Sequence, residues 1–281
     1  MFQTFLLKIT KIDSIALFYT IFSVLPWGII LFWFQPGDKE RKLKISSFAF
    51  FLGILSINIP QILIPILWPG VDFTPKKTTY LAQTVYMAFI QAGMLEEFLK
   101  GIMILILSLI TSYDTKTKKW GIDVVLIAGF TAMGFSVIEN YDYILMGKAN
   151  YFTMFLGRMI FSSNIHLLMD ICFVLFFIKN NFKDHWKDKT INYIYGFFLV
   201  IFQHGSIDFF LLPSVKFGNW VAHALFVGIW VWVVIDLRKY VYAHSNAQEE
   251  NLNQPAIESD KENERVIDDA TNFEIESNIR M

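Results

Sequence analysis

Apolar positions in this chain gather into long stretches separated by short polar segments rich in lysine. A membrane span needs about 20 predominantly apolar residues. By that measure the pattern predicts seven crossing helices, near residues 14–34, 46–68, 80–111, 121–145, 152–178, 191–212 and 219–236. The third is longer than a bilayer requires, which predicts tilt or emergence from the membrane. Pro60 and Pro65 interrupt the second and predict a kink there. Lys8 and Lys11 ahead of the first stretch look like the start of a signal peptide. That stretch, however, runs from Ile15 to Phe34 without an Ala-x-Ala exit, so it reads as a retained helix.

Composition agrees with the pattern. The 281 residues are 54% hydrophobic and 17% charged, whereas soluble domains carry about 25% charged residues. The expected fold is all-α, a polytopic membrane bundle of about seven helices occupying residues 1–245. The formal net charge of −1 hides an asymmetry: residues 246–281 hold ten acids and three bases, −7, so the remainder carries +6. This acidic segment is expected to be a disordered tail. The 29 Phe and 8 Trp read as lipid-facing and interfacial side chains. Membrane lipid is therefore an expected partner and nucleic acid is not. A single cysteine, Cys172, excludes an internal disulfide and a thiolate zinc site.

Loop charges give an orientation. One alternate set of connections and the segment after the last span hold thirteen Lys and Arg, among them Lys39, Arg41, Lys116, Lys183 and Arg238, while the other set holds six. The positive-inside tendency then predicts the N-terminus outside and the C-terminus in the cytoplasm.

Four of the apolar segments also carry polar residues where lipid should sit. These are Glu96-Glu97-Phe98-Leu99-Lys100, Glu139-Asn140-Tyr141-Asp142-Tyr143, His166-Leu167-Leu168-Met169-Asp170 and His204-Gly205-Ser206-Ile207-Asp208. A charge at mid-bilayer costs roughly 2.5–3.5 kcal/mol on insertion scales, so four such segments imply a polar site inside the bundle. Counted from the cytoplasmic ends at about 1.5 Å per residue, Glu96, His166 and His204 fall within roughly 5 Å of one depth, with Glu139 further out. The i,i+4 pairs Glu96/Lys100, Glu139/Tyr143, His166/Asp170 and His204/Asp208 each occupy one helix face.

Residue types suggest the chemistry. Two imidazoles and a carboxylate make a divalent-metal site, zinc being the natural occupant, with His166, His204 and Asp208 as ligands. A second carboxylate, from Glu96, Glu97 or Glu139, would act as general base on water. Asp170 and Asp208 are alternatives as acceptors that fix the histidine tautomers. Lys100 is expected to pair with Glu96 or Glu97, and Asn140 to donate to an oxyanion. Arg158 reads as a side chain that snorkels outward. His-Glu-x-x-His, Gly-x-Ser-x-Gly and Walker A sequences are absent.

The ordered motifs Glu96-Glu97-x-x-Lys100, Gly134-Phe135 leading to Glu139-Asn140-x-x-Tyr143, Arg158 ahead of His166, and His204-x-x-x-Asp208 resemble the PrsW family across about residues 90–210. The family comprises polytopic membrane proteases related to type II CAAX prenyl proteases and bacteriocin-processing enzymes. The resemblance implies an integral protein of a bacterial cell membrane that hydrolyses membrane-anchored protein substrates, anti-sigma factors being the kind known in the family. It implies that Glu96 or Glu97 activates water while His166 and His204 bind metal or polarise the scissile carbonyl. Asp208 stands where CAAX-type relatives commonly have Asn, and Lys100 stands one residue short of their Arg, which argues against a prenylated substrate. Two other readings compete. One is a non-catalytic scaffold of the same superfamily. The other is a proton- or metal-coupled transporter, which the lack of an internal repeat disfavours.

Overall fold

A computed structural model describes residues 12–67, 81–147, 150–212 and 217–253. Among these, the helices are α1 (Ser14–Phe34), α2 (Lys39–Leu67), α3 (Leu81–Val85), α4 (Glu97–Thr111), α5 (Asp123–Met146), α6 (Tyr151–Gly157), α7 (Ser163–Asn180), α8 (Trp186–Leu211) and α9 (Gly218–Asn253). Two wider π-helical turns, Tyr86–Glu96 and Arg158–Ser162, join α3 to α4 and α6 to α7. One hairpin, Tyr113–Asp114 paired antiparallel with Lys119–Trp120, links α4 to α5.

The protein is an integral membrane helical bundle. Among the described residues, six helices are long and apolar enough to cross a membrane: Ser14–Phe34, Lys39–Ile59, Asp123–Met146, Tyr151–Asn180, Trp186–Leu211 and Gly218–Tyr240. The remaining expected span, 80–111, is helical from Leu81 to Thr111 but is broken by its π turn and carries three charged residues. Helix α2 continues to Leu67, and the side chains of Pro60 and Pro65, where a kink was expected, lie outside the described residues. The chain divides into a unit ending at Asp236 and a second unit from Leu237. Helix α9 runs to Asn253, so helical backbone extends into the start of the expected tail, while residues 254–281 lie outside the described residues.

Burial is uneven and places the core. In α5 and in the Tyr151–Asn180 helix, 72% and 78% of the apolar window is buried, against 11–33% in the other four spans. These two central elements carry Glu139 and His166. Their neighbours approach closely because glycine permits it. A side chain at Gly134 of α5 would collide with the backbone carbonyl of Phe50, and one at Gly53 of α2 with that of Thr131. Small residues at such crossings replace the hydrophobic driving force that lipid cannot supply. Gly205 of α8 sits against Phe89, and a Cβ at Gly93 would lie 2.8 Å from the Ile201 carbonyl. That contact brings the first π turn, with Glu96 at its end, against the helix that carries His204.

The helix ends are tied by side chains. Asp13 Oδ1 accepts from the Ile15 and Ala16 amides at 3.0 Å, capping α1. Its Oδ2 accepts from the Tyr151 hydroxyl at 2.8 Å, and its amide donates to the Tyr141 hydroxyl at 3.0 Å. At the other end Lys42 Nζ donates to the carbonyls of Phe32 and Gln35 at 2.9 and 2.8 Å, satisfying acceptors the helix leaves open.

Candidate active site

The expected polar layer is assembled from four segments, and the two π turns set how its side chains point. Across Tyr86–Glu96 the wider turn puts Met87, Ala88, Gln91, Ala92 and Glu96 on one wall of a cavity of about 450 Å³. Their spacing of four to five residues matches i→i+5 bonding rather than an α-helical stripe. Arg158 and Ser162 of the second π turn and His166, one turn further on in α7, line the same cavity with Glu139, His204 and Asp208. The helix becomes α between Glu96 and Glu97, and the adjacent acids part company there. Glu96 lines the cavity. Glu97 is 2% exposed and turns into the protein.

Glu97 heads a buried chain of charges. Its Oε1 lies 2.6 Å from His204 Nδ1 and 2.7 Å from Lys100 Nζ. Lys100 Nζ also reaches Asp170 Oδ1 at 3.1 Å and stands over the Phe135 ring at 5.2 Å. Burying such a lysine is costly unless it is paired, and here two carboxylates face it. The expected pairing of Lys100 is thus with Glu97, an i,i+3 neighbour, and with Asp170. Asp170 was expected to orient a histidine; it reaches Lys100 instead because Lys100 lies fully buried between α4 and α7.

The second cluster is built on Glu139. Its Oε2 is 2.7 Å from His166 Nε2, 2.5 Å from an Arg158 terminal nitrogen and 3.4 Å from the Ser162 hydroxyl. Arg158 Nε donates to Asn140 Oδ1 at 2.7 Å, and the guanidinium packs on the Tyr143 ring, 4.2 Å from its centroid. Arg158 therefore turns inward, where an outward snorkel was expected. The Asn140 amide is committed too, donating to Ser23 and Ser163 at 2.7 and 2.8 Å. Fully buried, it lies behind the cavity wall and holds α1, α5 and α7 together rather than facing a substrate. Apolar periodicity gave no sign of Ser23 or Ser163, since hydroxyls in apolar helices are common and usually bond their own backbone.

His166 and His204 meet edge to face with ring centroids 5.2 Å apart. One ligand atom each from Glu96, His166 and His204 lies within 4.8 Å of the others. Asp208 was expected as the third ligand with the histidines; Glu96 occupies that place in the cluster. The Asp208 Oδ2 stands 3.6 Å from His204 Nε2, beyond hydrogen-bond range. Two imidazoles and a carboxylate suit a divalent cation of the zinc class. A carboxylate on the far nitrogen of a ligating histidine is the usual outer support of such a site, and Glu97 on His204 Nδ1 has that arrangement. The donor set therefore fits a metal.

Residues 41–235 match the model of the PrsW family intramembrane metalloproteases. The chain belongs to that family. Among curated relatives, the Protease PrsW of Clostridioides difficile (strain 630) is 24% identical over 230 residues, which cover 79% of this chain and 90% of that protein. No solved structure matches. The protein is a membrane-embedded peptidase, and the family's description as metalloproteases accords with the donor set around the cavity.

Proposed function

We propose that the protein hydrolyses peptide bonds of membrane-anchored protein substrates within this cavity. The observation that carries the reading is the convergence of Glu96, His166 and His204, from three elements, in its lining. These three residues would hold a divalent metal, zinc by donor type. When bound, the metal supplies a Lewis acid for the scissile carbonyl and lowers the pKa of a water. Glu139 is placed to take the proton of the attacking water on Oε1, since Arg158, His166 and Ser162 all reach its Oε2, and to return it to the leaving nitrogen. Glu97 fixes the His204 ring through Nδ1, so that Nε2 faces the cavity, and Lys100 with Asp170 holds Glu97 in place. Arg158 keeps Glu139 oriented and lends positive charge to the cavity rim.

The substrate is a membrane-anchored protein cut near the outer half of the bilayer, with the N-terminus of the enzyme outside and its C-terminus in the cytoplasm. The lysine-rich connections support that orientation. An anti-sigma factor is the kind of substrate that the family resemblance implies.

The test is metal content together with cleavage of a membrane-anchored reporter by the purified protein in vesicles. Wild type is expected to carry about one zinc per chain and to cut the reporter. The His166→Ala/His204→Ala double variant is expected to do neither. Full activity in Glu97→Ala, His166→Ala and His204→Ala alike would sink the assignment. Cleavage without metal would move the chemistry to the carboxylates alone.

A further inference from the structure

Gln91 is a polar group of the cavity that takes no part in this scheme. Gln91 lies in the first π turn, five residues before Glu96, and lines the same cavity. Its side-chain oxygen is buried, and no hydrogen-bond donor reaches it among the described residues. A buried amide oxygen left without a partner costs about 1–3 kcal/mol, and Gln91 stands among Met87, Ala88 and Ala92, none of which offers a side-chain donor. Most other polar side chains of the cavity have partners; Glu96 is assigned to the metal, and Asp208, 31% exposed, is in reach of water. Glu139, Arg158, Ser162 and His166 bond one another, His204 bonds Glu97, and Tyr143 carries the guanidinium.

A substrate segment cut inside a membrane creates the complementary need. A transmembrane helix satisfies its own backbone groups, and the stretch to be hydrolysed must unwind first. Each peptide N–H released in this way finds no water in the hydrocarbon and must be paired by protein. We propose that Gln91 is a substrate-binding residue whose amide oxygen accepts a backbone N–H of the unwound segment beside the scissile bond. Gln91 lines the cavity from the same π turn as Glu96, and rotation of its terminal amide, a soft two-fold torsion, brings the covered oxygen to that face. The recognition is of peptide backbone and is therefore blind to side-chain sequence, whereas the apolar wall formed by Ile165, Leu211 and Leu212 is left to select side chains.

The inference rests on the protease reading, and its test separates the two. The probe is a membrane-anchored peptide that wild type cuts, with its cleavage site mapped by mass spectrometry. A second set of probes replaces single backbone amides flanking the cut with esters, deleting one N–H at a time. The variant is Gln91→Met, of similar size and without the orphaned oxygen. Its melting temperature is expected to equal or exceed that of wild type, since an unpaired buried polar group is removed. Its kcat/KM on the all-amide probe is expected to fall about tenfold, mainly through KM, as for a contact formed in ground and transition states alike. At one ester position wild type should lose the same factor and Gln91→Met nothing more. A Gln91→Met enzyme as active as wild type, or one equally penalised at every ester position, overturns the assignment. So does a lowered melting temperature with KM unchanged, which would mark Gln91 as structural. If wild type cuts no probe at all, the protease reading itself fails.

Discussion

The two histidines of the site stand 5.2 Å apart ring to ring, yet they are held in opposite ways. His204 is backed by groups sealed inside the protein: Glu97, then Lys100, then Asp170, each at most 2% exposed. His166 is held by Glu139, which is 23% exposed at the side chain, and by the Arg158 beyond it, at 15%. The first chain is a strut that water and substrate do not reach. The second forms the wall of the cavity where they arrive. A protease needs both kinds of support. One set of groups must stay fixed through every cycle, and another must meet water and exchange protons. Their separation predicts that damage to the strut shows first as instability, and damage to the wall as lost rate.

The sharpest break of that contrast is at Lys100. Removing its charge leaves Asp170 buried without a counter-charge and Glu97 with His204 alone, and an uncompensated buried charge of this kind costs about 3–5 kcal/mol. Lys100→Met is expected to lower the melting temperature in detergent sharply and to abolish activity along with it. Lys100→Met melting like wild type would remove the distinction between strut and wall.

Next in size is Glu139→Gln. Its hydrogen bonds from Arg158 and Ser162 survive in part, and the side chain is partly exposed. The melting temperature is expected to hold, while kcat falls by about 10²–10⁴, the usual worth of a general base. Retained kcat with raised KM would assign Glu139 to binding instead. Glu97→Gln alters the strut where it meets His204. It keeps a hydrogen bond to His204 but loses the negative charge that makes the ring a stronger ligand. Zinc affinity is expected to drop about 10–100-fold, measured by chelator competition, and added zinc should restore activity.

Much of this arrangement was legible from the sequence, for physical reasons. Hydropathy runs report spans because lipid penalises every exposed charge, so the bundle and the four polar segments stood out. Depth along each helix followed from a fixed rise, and Glu96, His166 and His204 do converge. What spacing could not report was rotation. An α-helical wheel leaves Lys100 in reach of both Glu96 and Glu97, and the structure pairs it with Glu97 while Glu96 lines the cavity. The partners of Arg158 lie 18 and 19 positions back in the chain, at Asn140 and Glu139, so only the packing of α5 against the second π turn reveals that it points inward. The partners of Asn140 were not legible because a donor amide beside Glu139 looks available until Ser23 and Ser163 are found on it.

The smallest effect is expected at Asp208, and it tests whether the wall ends there. Asp208 lines the cavity, but its nearer oxygen stands 3.6 Å from His204 Nε2, and 31% of the side chain is exposed. At that distance it makes no hydrogen bond; the pair joins a buried ring to a carboxylate in partial reach of water, whose hydration offsets most of the attraction and leaves about 1 kcal/mol. Asp208→Asn preserves shape and removes only charge. It is expected to leave zinc stoichiometry unchanged and to lower kcat/KM by no more than about fivefold, the rate equivalent of that energy. A true ligand would behave differently, because replacing a carboxylate by an amide would cost metal affinity outright. Loss of bound zinc in Asp208→Asn would therefore return Asp208 to the metal set in place of Glu96. Glu96→Gln, assayed beside it, should then keep its metal.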